Sequence, residues 1–292
     1  MSSATEAIAF IKGHGTGNDF IVVPDLAGEL DLPADWVRAV CSRHTGLGAD
    51  GVIRVVRGGP QSPVEWGRGA DFVMDHRNAD GSLAEMCGNG ARVMMRYLAE
   101  AGLIGGSDPV LLATRGGLRT AWVHGTDPTG DITVNMGSAT LGPKTYVQLD
   151  GRTWPAQGAL LPNPHAVVVV EDLADAGDLA GMPTVPAADF PDGVNVEFVV
   201  RQAPDRLSMR VHERGVGETL ACGTGACAVA YVAGSLQDGP VSVQQPGGTV
   251  RISLAEDGAL LLSGPAVLVA SGVFGPVSSP VPMTPMTPMT PR

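Results

Sequence analysis

The feature that most constrains this chain is a motif that occurs twice. Met86-Cys87-Gly88-Asn89-Gly90-Ala91 and Ala221-Cys222-Gly223-Thr224-Gly225-Ala226 each set a cysteine before a Gly-x-Gly-Ala turn, and each turn opens an apolar run with helical character. The two cysteines stand close to half a chain length apart. A unit repeated at that spacing reads as a duplication. The expectation is two similar halves, each bringing one thiol to a shared cleft.

The flanking segments support this order. Ala7–Ile11 and Phe20–Val23 read as strands around a glycine-rich segment, Lys12–Asp19, that is either mobile or tightly turned. Leu32–Arg43 fits an amphipathic helix with Trp36, Val37, Val40 and Cys41 on its apolar face, which makes Cys41 a core residue. Strands follow at Val52–Val56 and Asp71–Asp75, with a turn or insertion at Gly58–Gly69 between them. After the first thiol comes a helix ending at Gly102, then strands at Val110–Ala113 and Leu118–Val123. The run Gly125–Gly130 is the candidate crossing between halves.

The second half reads as strands at Ile132–Met136, Thr145–Leu149, His165–Val170, Val194–Val200 and Leu207–Glu213. Asp172–Asp192 is a connection with one helical turn. The second thiol opens a helix that is apolar almost all round, as expected of a helix wrapped by sheet. Four more strands close the set.

The fold class is therefore α/β with α+β character: two pseudo-symmetric halves, each a mixed or antiparallel sheet around a central helix, with the active site in the cleft between them. The expected division is residues 1–126 plus 265–278 for the half carrying Cys87, and 127–264 for the half carrying Cys222. Residues 279–292, built on a Pro-Met-Thr triplet, read as a disordered tail.

Composition narrows the functions. The 292 residues carry a formal net charge of −11, which argues against nucleic acid or an anionic membrane as the main partner. No apolar run reaches the ~20 residues that span a bilayer. Four cysteines in a chain of this length are not a disulfide scaffold. A reducing, cytoplasmic setting is expected.

The chemistry resides in the two thiols. A cysteine just before a helix faces unpaired N–H groups and the positive end of the helix dipole, which stabilise a thiolate and lower its pKa toward neutrality. The same donors can hold a carboxylate. With two such sites facing each other, one thiolate removes a proton from a carbon and the opposite thiol returns one to the other face, inverting that centre. A zinc site is disfavoured, because Cys222 and Cys227 lack a second Cys or His pair. No metal or cofactor is expected. A C-x-x-C redox motif is absent, and the glycines near 223 meet only the looser dinucleotide pattern without its acidic residue.

On these residues the sequence resembles the diaminopimelate epimerases. The matching pieces are His14–Phe20, Arg43–Gly51, Arg77–Ser82, Met86–Arg92, Pro162–His165, Gly193–Glu197 and Glu213–Ala226, in the family's order across about residues 8 to 274. The resemblance implies interconversion of LL- and meso-diaminopimelate without a cofactor, in lysine and peptidoglycan precursor biosynthesis, by a homodimer. It implies that Cys87 and Cys222 are the two bases, and that Gly88, Asn89, Gly223 and Thr224 hold the reacting end of the substrate. Asn18, Asn78, Asn163, Asn195, Glu213 and Arg214 would line the rest, with the Arg214 fork on the distal carboxylate. His165 and Glu213 would tune the thiols. The alternatives are a racemase acting on proline or hydroxyproline, a thiol sensor closing a Cys87–Cys222 disulfide, and a hydrolase using one cysteine with His165.

Overall fold

A computed structural model describes residues 7–125, 130–161, 163–179 and 181–275. Residues 126–129 of the expected crossing, Pro162 and the Pro-Met-Thr tail lie outside the described residues.

The chain opens with a hairpin, β1 (Ile8–Gly15) and β2 (Asn18–Pro24). The glycine-rich segment is a tight turn: both strands run through it, leaving only Thr16 (φ 52°) and Gly17 (φ 83°) as corner residues. Two consecutive positive φ values give the turn whose twist matches that of the strands it joins. Then come α1 (Ala34–Cys41), β3 (Gly51–Arg57), β4 (Phe72–Asn78), α2 (Gly88–Glu100), β5 (Val110–Thr114), β6 (Gly117–Val123) and β7 (Ile132–Gly137). Cys41 is buried in the small core under α1, as its helical spacing predicts. The Gly58–Gly69 stretch is a loop with one 3-10 turn at Glu65–Gly67.

The second half follows the same order. It comprises β8 (Thr140–Leu149), β9 (Arg152–Leu160), β10 (Pro164–Val169), β11 (Asn195–Ala203), β12 (Arg206–Glu213), the short β13 (Gly217–Thr219), α3 (Gly223–Ala233), β14 (Val241–Gln245), β15 (Gly248–Leu254), β16 (Leu260–Gly264) and β17 (Val267–Phe274). Between β10 and β11 the one helical turn is Leu173–Ala176. Strand β9 was not legible in advance. Its signal was the Asp150-Gly151 pair, whose φ values of 50° and 76° make a hairpin corner like that of the first half.

Pairing exposes the repeat. In the first half β1–β2 is antiparallel, β2–β3 parallel, β3–β4 antiparallel, β4–β5 parallel, and β5–β6–β7 antiparallel. In the second half β9–β10, β10–β11, β11–β12, β12–β14 and β14–β15–β16 repeat that series step for step. The C-terminal strand β17 returns to pair with β1, as β8 pairs with β9. The equivalent strands β7 and β16 pair antiparallel and join the halves into one sheet.

Each half curls around its own helix. Helix α2 touches β1–β4, β6, β7 and β17, and α3 touches β9–β12 and β14–β16. Helix α2 is buried from Gly88 to Leu98, and α3 is buried along most of its length, ending at Gly234. Burial on all sides explains why α3 carries almost no polar side chain. No helix among the described residues is long and apolar enough to cross a membrane.

Candidate active site

Both cysteines are N-caps. Cys87 (φ −140°) precedes α2 and Cys222 (φ −125°) precedes α3. The two helix starts abut. Asn89, in the first turn of α2, donates from Nδ2 to the carbonyl of Ala221, the residue before Cys222, at 3.2 Å. The same amide reaches Asn18 Oδ1 at 3.2 Å, and the Cys87 thiol lies 3.6 Å from that oxygen. A Cβ on Gly223 would stand 3.7 Å from the Cα of Gly88. The helix starts therefore meet through glycine backbone. Asn89 Oδ1 is buried at this junction with no partner among the described residues.

The Cys222 side is the more elaborate. Its sulfur accepts the backbone N–H of Gly225 at 3.4 Å and lies 3.5 Å from the Thr224 hydroxyl. Its own N–H donates to Gln245 Oε1 at 2.7 Å, fixing the cap to the end of β14. Asn163 Nδ2 donates to Thr224 Oγ1 at 3.2 Å. His165, fully buried, lies 3.1 Å from Asn163 Oδ1 through Nε2 and 2.6 Å from Glu197 Oε1 through Nδ1.

The remaining predicted residues lie at strand ends: Asn18 opens β2, Asn78 ends β4, Asn195 opens β11 and Glu213 ends β12, with Arg214 next to it. Asn18 donates to Asp50, and Asp50 and Asp19 share Arg43, so the corner is held by charge. Burial acts upward on the Asp19 carboxyl, but hydrogen bonds and charge from Arg43 and Lys12 outweigh it and hold the group at about 2. Asn18 and Asn163 occupy equivalent places in the two halves: each lies two residues before a strand position paired with the start of the next strand, Phe20 with Gly51 and His165 with Asn195. Asn78, exposed at the end of β4, donates to Ser82 at 3.0 Å. Asn195 is buried and accepts the Arg214 N–H at 2.9 Å. Arg214 rests on the carbonyls of Asp192 and Gly193, and no carboxylate among the described residues pairs with it. A Cβ on Gly193 would lie 2.8 Å from Arg214 Cδ, so glycine there gives the side chain its room. Glu213 accepts the Thr219 hydroxyl beside Cys222.

One expectation is corrected. The helix N-termini do not bring the thiols down to neutrality. Burial pushes Cys87 above the ordinary thiol value; the Gly90 N–H works against it, the Glu213 charge adds to it, and the Asn89 N–H and Arg92 pull down. Cys222 is pushed well above that value, by burial first and then by the charges of Glu213 and Glu197, against the weaker pull of Thr224 and Gly225. Loss of hydration outweighs a few backbone donors once a thiol is enclosed. Burial also raises Glu213. The charges around the two thiols differ: Glu197 raises Cys222 alone, and Arg92 pulls on Cys87 alone. Arg92, buried in α2, bonds to Pro265 O, Gly88 O and Thr16 Oγ1, and the fifth residue past Cys222 is instead Cys227.

Sequence reasoning gave no role to Gln245, Arg92 or Glu197. Glu197 and Arg92 sat inside motifs that were noticed, but their burial was invisible. Gln245 carries only the weak signal of preceding a Pro-Gly-Gly turn. Among the described residues no cluster of three His, Cys, Asp or Glu side chains is arranged to hold a metal.

The architecture is shared with solved structures of low sequence identity. A hydroxyproline epimerase from Agrobacterium vitis superposes with a TM-score of 0.66 over 94% of both chains at 15% identity. A PhzF-family phenazine biosynthesis protein from Bacillus anthracis gives 0.64 over 92% of this chain and 99% of its own, at 16% identity. The class is thus a duplicated sheet-around-helix fold, here with a cysteine capping each central helix. Within it, the chain belongs to the diaminopimelate epimerase family. The family's profile matches residues 10–142 and 160–269. The diaminopimelate epimerase of Streptomyces coelicolor is 49% identical over 280 residues, covering 91% of this chain and 95% of the relative. That of Thermobifida fusca is 46% identical over 272 residues, covering 90% and 96%.

Proposed function

We propose that this protein is an isomerase that interconverts LL- and meso-diaminopimelate by passing a proton between substrate carbon and two thiols, in the synthesis of lysine and of peptidoglycan precursor. The observation that carries the reading is the pair of cysteine N-caps on abutting helices, in a chain close to half identical to diaminopimelate epimerases. The substrate α-carboxylate takes the N–H groups of the two helix starts, at Gly88, Asn89, Gly223 and Thr224. Negative charge that develops on it during proton removal meets donors already in place. Asn89 Oδ1, buried and unpartnered among the described residues, is an acceptor for the α-ammonium.

The distal end lies toward Asn18, Asn78, Asn163, Asn195 and Arg214. Arg214, without a carboxylate partner among the described residues, is the cation for the second carboxylate. This favours a dicarboxylate substrate over a proline-type acid. Glu213 tunes both thiols, and His165 reaches Cys222 through Asn163 and Thr224. In this reading the halves are β1–β7 with β17, and β8–β16.

The test is α-deuterium uptake in heavy water. Diaminopimelate is expected to exchange its α-hydrogen as the isomers equilibrate. Exchange into proline or hydroxyproline in its place would overturn the substrate assignment.

The protein works in the cytoplasm as a homodimer, and β17 supports the pairing. It is joined to β1 alone among the described residues and exposes Val267, Val269 and Val273 along its length. An apolar edge strand of this kind is a template for another chain. Sedimentation velocity should find a dimer, and Val269→Lys with Val273→Lys should shift it to monomer; an unshifted dimer would place the interface elsewhere.

A further inference from the structure

The His165–Glu197 pair is fully enclosed, yet packing does not require it. The strand register that pairs Phe20 with Gly51 in the first half pairs His165 with Asn195 in the second. Two residues further along β3 and β11 stand Ile53 and Glu197. The first half therefore fills this place with Phe20 and Ile53, and the second with an imidazole and a carboxyl group. The helix glycines report the same exchange. A Cβ on Gly90 would meet Ile53 Cδ1 and Met74 Cε at 2.9 Å, whereas a Cβ on Gly225 would meet Glu197 Oε1 at 2.8 Å. Gly225 leaves room for a buried carboxyl group where its twin leaves room for hydrocarbon. Burying Glu and His is unfavourable compared with an apolar pair of similar size, so their presence implies a task.

The hydrogen bonds give the task a direction. Asn163 Oδ1 has no proton, so His165 Nε2 must donate to it across 3.1 Å. Asn163 Nδ2 then donates to Thr224 Oγ1 at 3.2 Å. Thr224 Oγ1, having accepted, has its single proton free for the Cys222 sulfur at 3.5 Å. Every donor from His165 onward points toward that sulfur. With Nε2 carrying a proton, Nδ1 and Glu197 Oε1, 2.6 Å apart, hold one further proton between them. Glu197 Oε2 has no partner among the described residues, so the carboxyl group is committed to the imidazole.

We propose that Glu197 is a positioning residue for Cys222: it fixes the protonation and orientation of His165, and so aligns Asn163 and the Thr224 hydroxyl on the sulfur. Among the described residues Cys87 has no counterpart to this pair, the equivalent positions being the apolar Phe20 and Ile53. That this alignment serves epimerisation rests on the function proposed above; the effect on Cys222 itself does not.

The experiment uses the full chain and three variants: Glu197→Leu, Glu197→Gln, and the double variant His165→Phe with Glu197→Ile, which copies the first half. Two readings are taken. One is the pH dependence of alkylation of Cys222 and of Cys87 by iodoacetamide, followed by peptide mass spectrometry without substrate. The other is kcat and KM for diaminopimelate. The double variant is expected to fold with an unchanged or higher Tm, and Glu197→Leu, which leaves His165 Nδ1 without its partner, with a lower one. They should lose about 10- to 100-fold in kcat, the range seen when an outer partner of a working group is removed. The alkylation profile of Cys222 should shift while that of Cys87 stays. Glu197→Gln, which still bonds to His165, should lose less. Thr224→Val should give a loss that does not add to that of Glu197→Leu, because both break one chain. Wild-type kcat and an unmoved Cys222 profile in Glu197→Leu would overturn the proposal. So would equal shifts at both cysteines, the mark of a general disturbance. If the wild-type protein failed to turn over diaminopimelate, the proposed function would fall, while the contrast between the two cysteines would still decide the role of Glu197.

Discussion

Replacing either Cys87 or Cys222 with alanine is expected to remove turnover, with kcat falling about 10²- to 10⁴-fold in each variant, the usual contribution of a positioned acid or base. Both losses follow from the proposed two-thiol inversion. Inversion needs a proton taken from one face and another delivered to the opposite face, and each helix start supplies one sulfur. A hydrolase using one cysteine with His165 would leave one variant nearly active, so assaying the two variants side by side separates the readings. The wild-type pH profile follows from the same electrostatics. Burial raises both thiols, so in the free enzyme both are protonated in the neutral range and the base appears only as pH increases. The predicted kcat/KM rises with pH as one thiol of the pair ionises and falls again when the other follows. A profile flat from neutral to alkaline pH would refute this.

Gly247→Ala is expected to cost both stability and activity, although residue 247 touches neither thiol. Three segments cross there: the Thr16–Gly17 corner that carries Asn18, the approach to Cys222 at Leu220, and the turn between β14 and β15. Gly247 donates its N–H to Leu220 O at 2.8 Å. An added Cβ would lie 1.9 Å from the carbonyl oxygen of Thr16 and 3.1 Å from that of Leu220. These are backbone atoms, so no rotamer change relieves the clash, and one segment must move. Overpacking of this kind costs roughly 1–3 kcal/mol or more. The movement separates the Asn18 corner from the Cys222 loop, and a displacement of about 1 Å at a reacting centre is worth about 10²-fold in rate. Thermal unfolding and kcat measured on one preparation check both. A variant with wild-type kcat would show that the contact does not set the cleft. Gly90→Ala is the control: its Cβ meets the ends of the Ile53 and Met74 side chains, which can turn away, at 2.9 Å, and Phe20 Cζ at an ordinary contact of 3.4 Å.

Particular residues show what was legible in advance. The two cysteine motifs, the apolar helices and the polar strand ends follow from local rules: glycine where backbone must approach backbone, a small residue at a cap, hydrocarbon on a helix enclosed by sheet. The repeat was visible because both halves keep the same local solution at the thiol. Strand β9 was missed because Pro155 interrupts it and its inward positions Ala156 and Gly158 carry little hydrocarbon, so only the Asp150-Gly151 corner betrays it. The Phe20–Ile53 and His165–Glu197 exchange was hidden, because it depends on which residues of parallel strands sit side by side.

The sequence by itself determined the chemistry on offer: two thiols, each at a helix start, and glycines and asparagines to surround a small acid. Tertiary structure alone decided how those thiols behave. Their acidity depends on the water removed from around them and on which charges are packed nearby. Arg92 comes to act on Cys87, Glu197 on Cys222 and Glu213 on both only once two curled sheets close around two helices. Desolvation and Coulomb forces act through space, so chain order cannot report them.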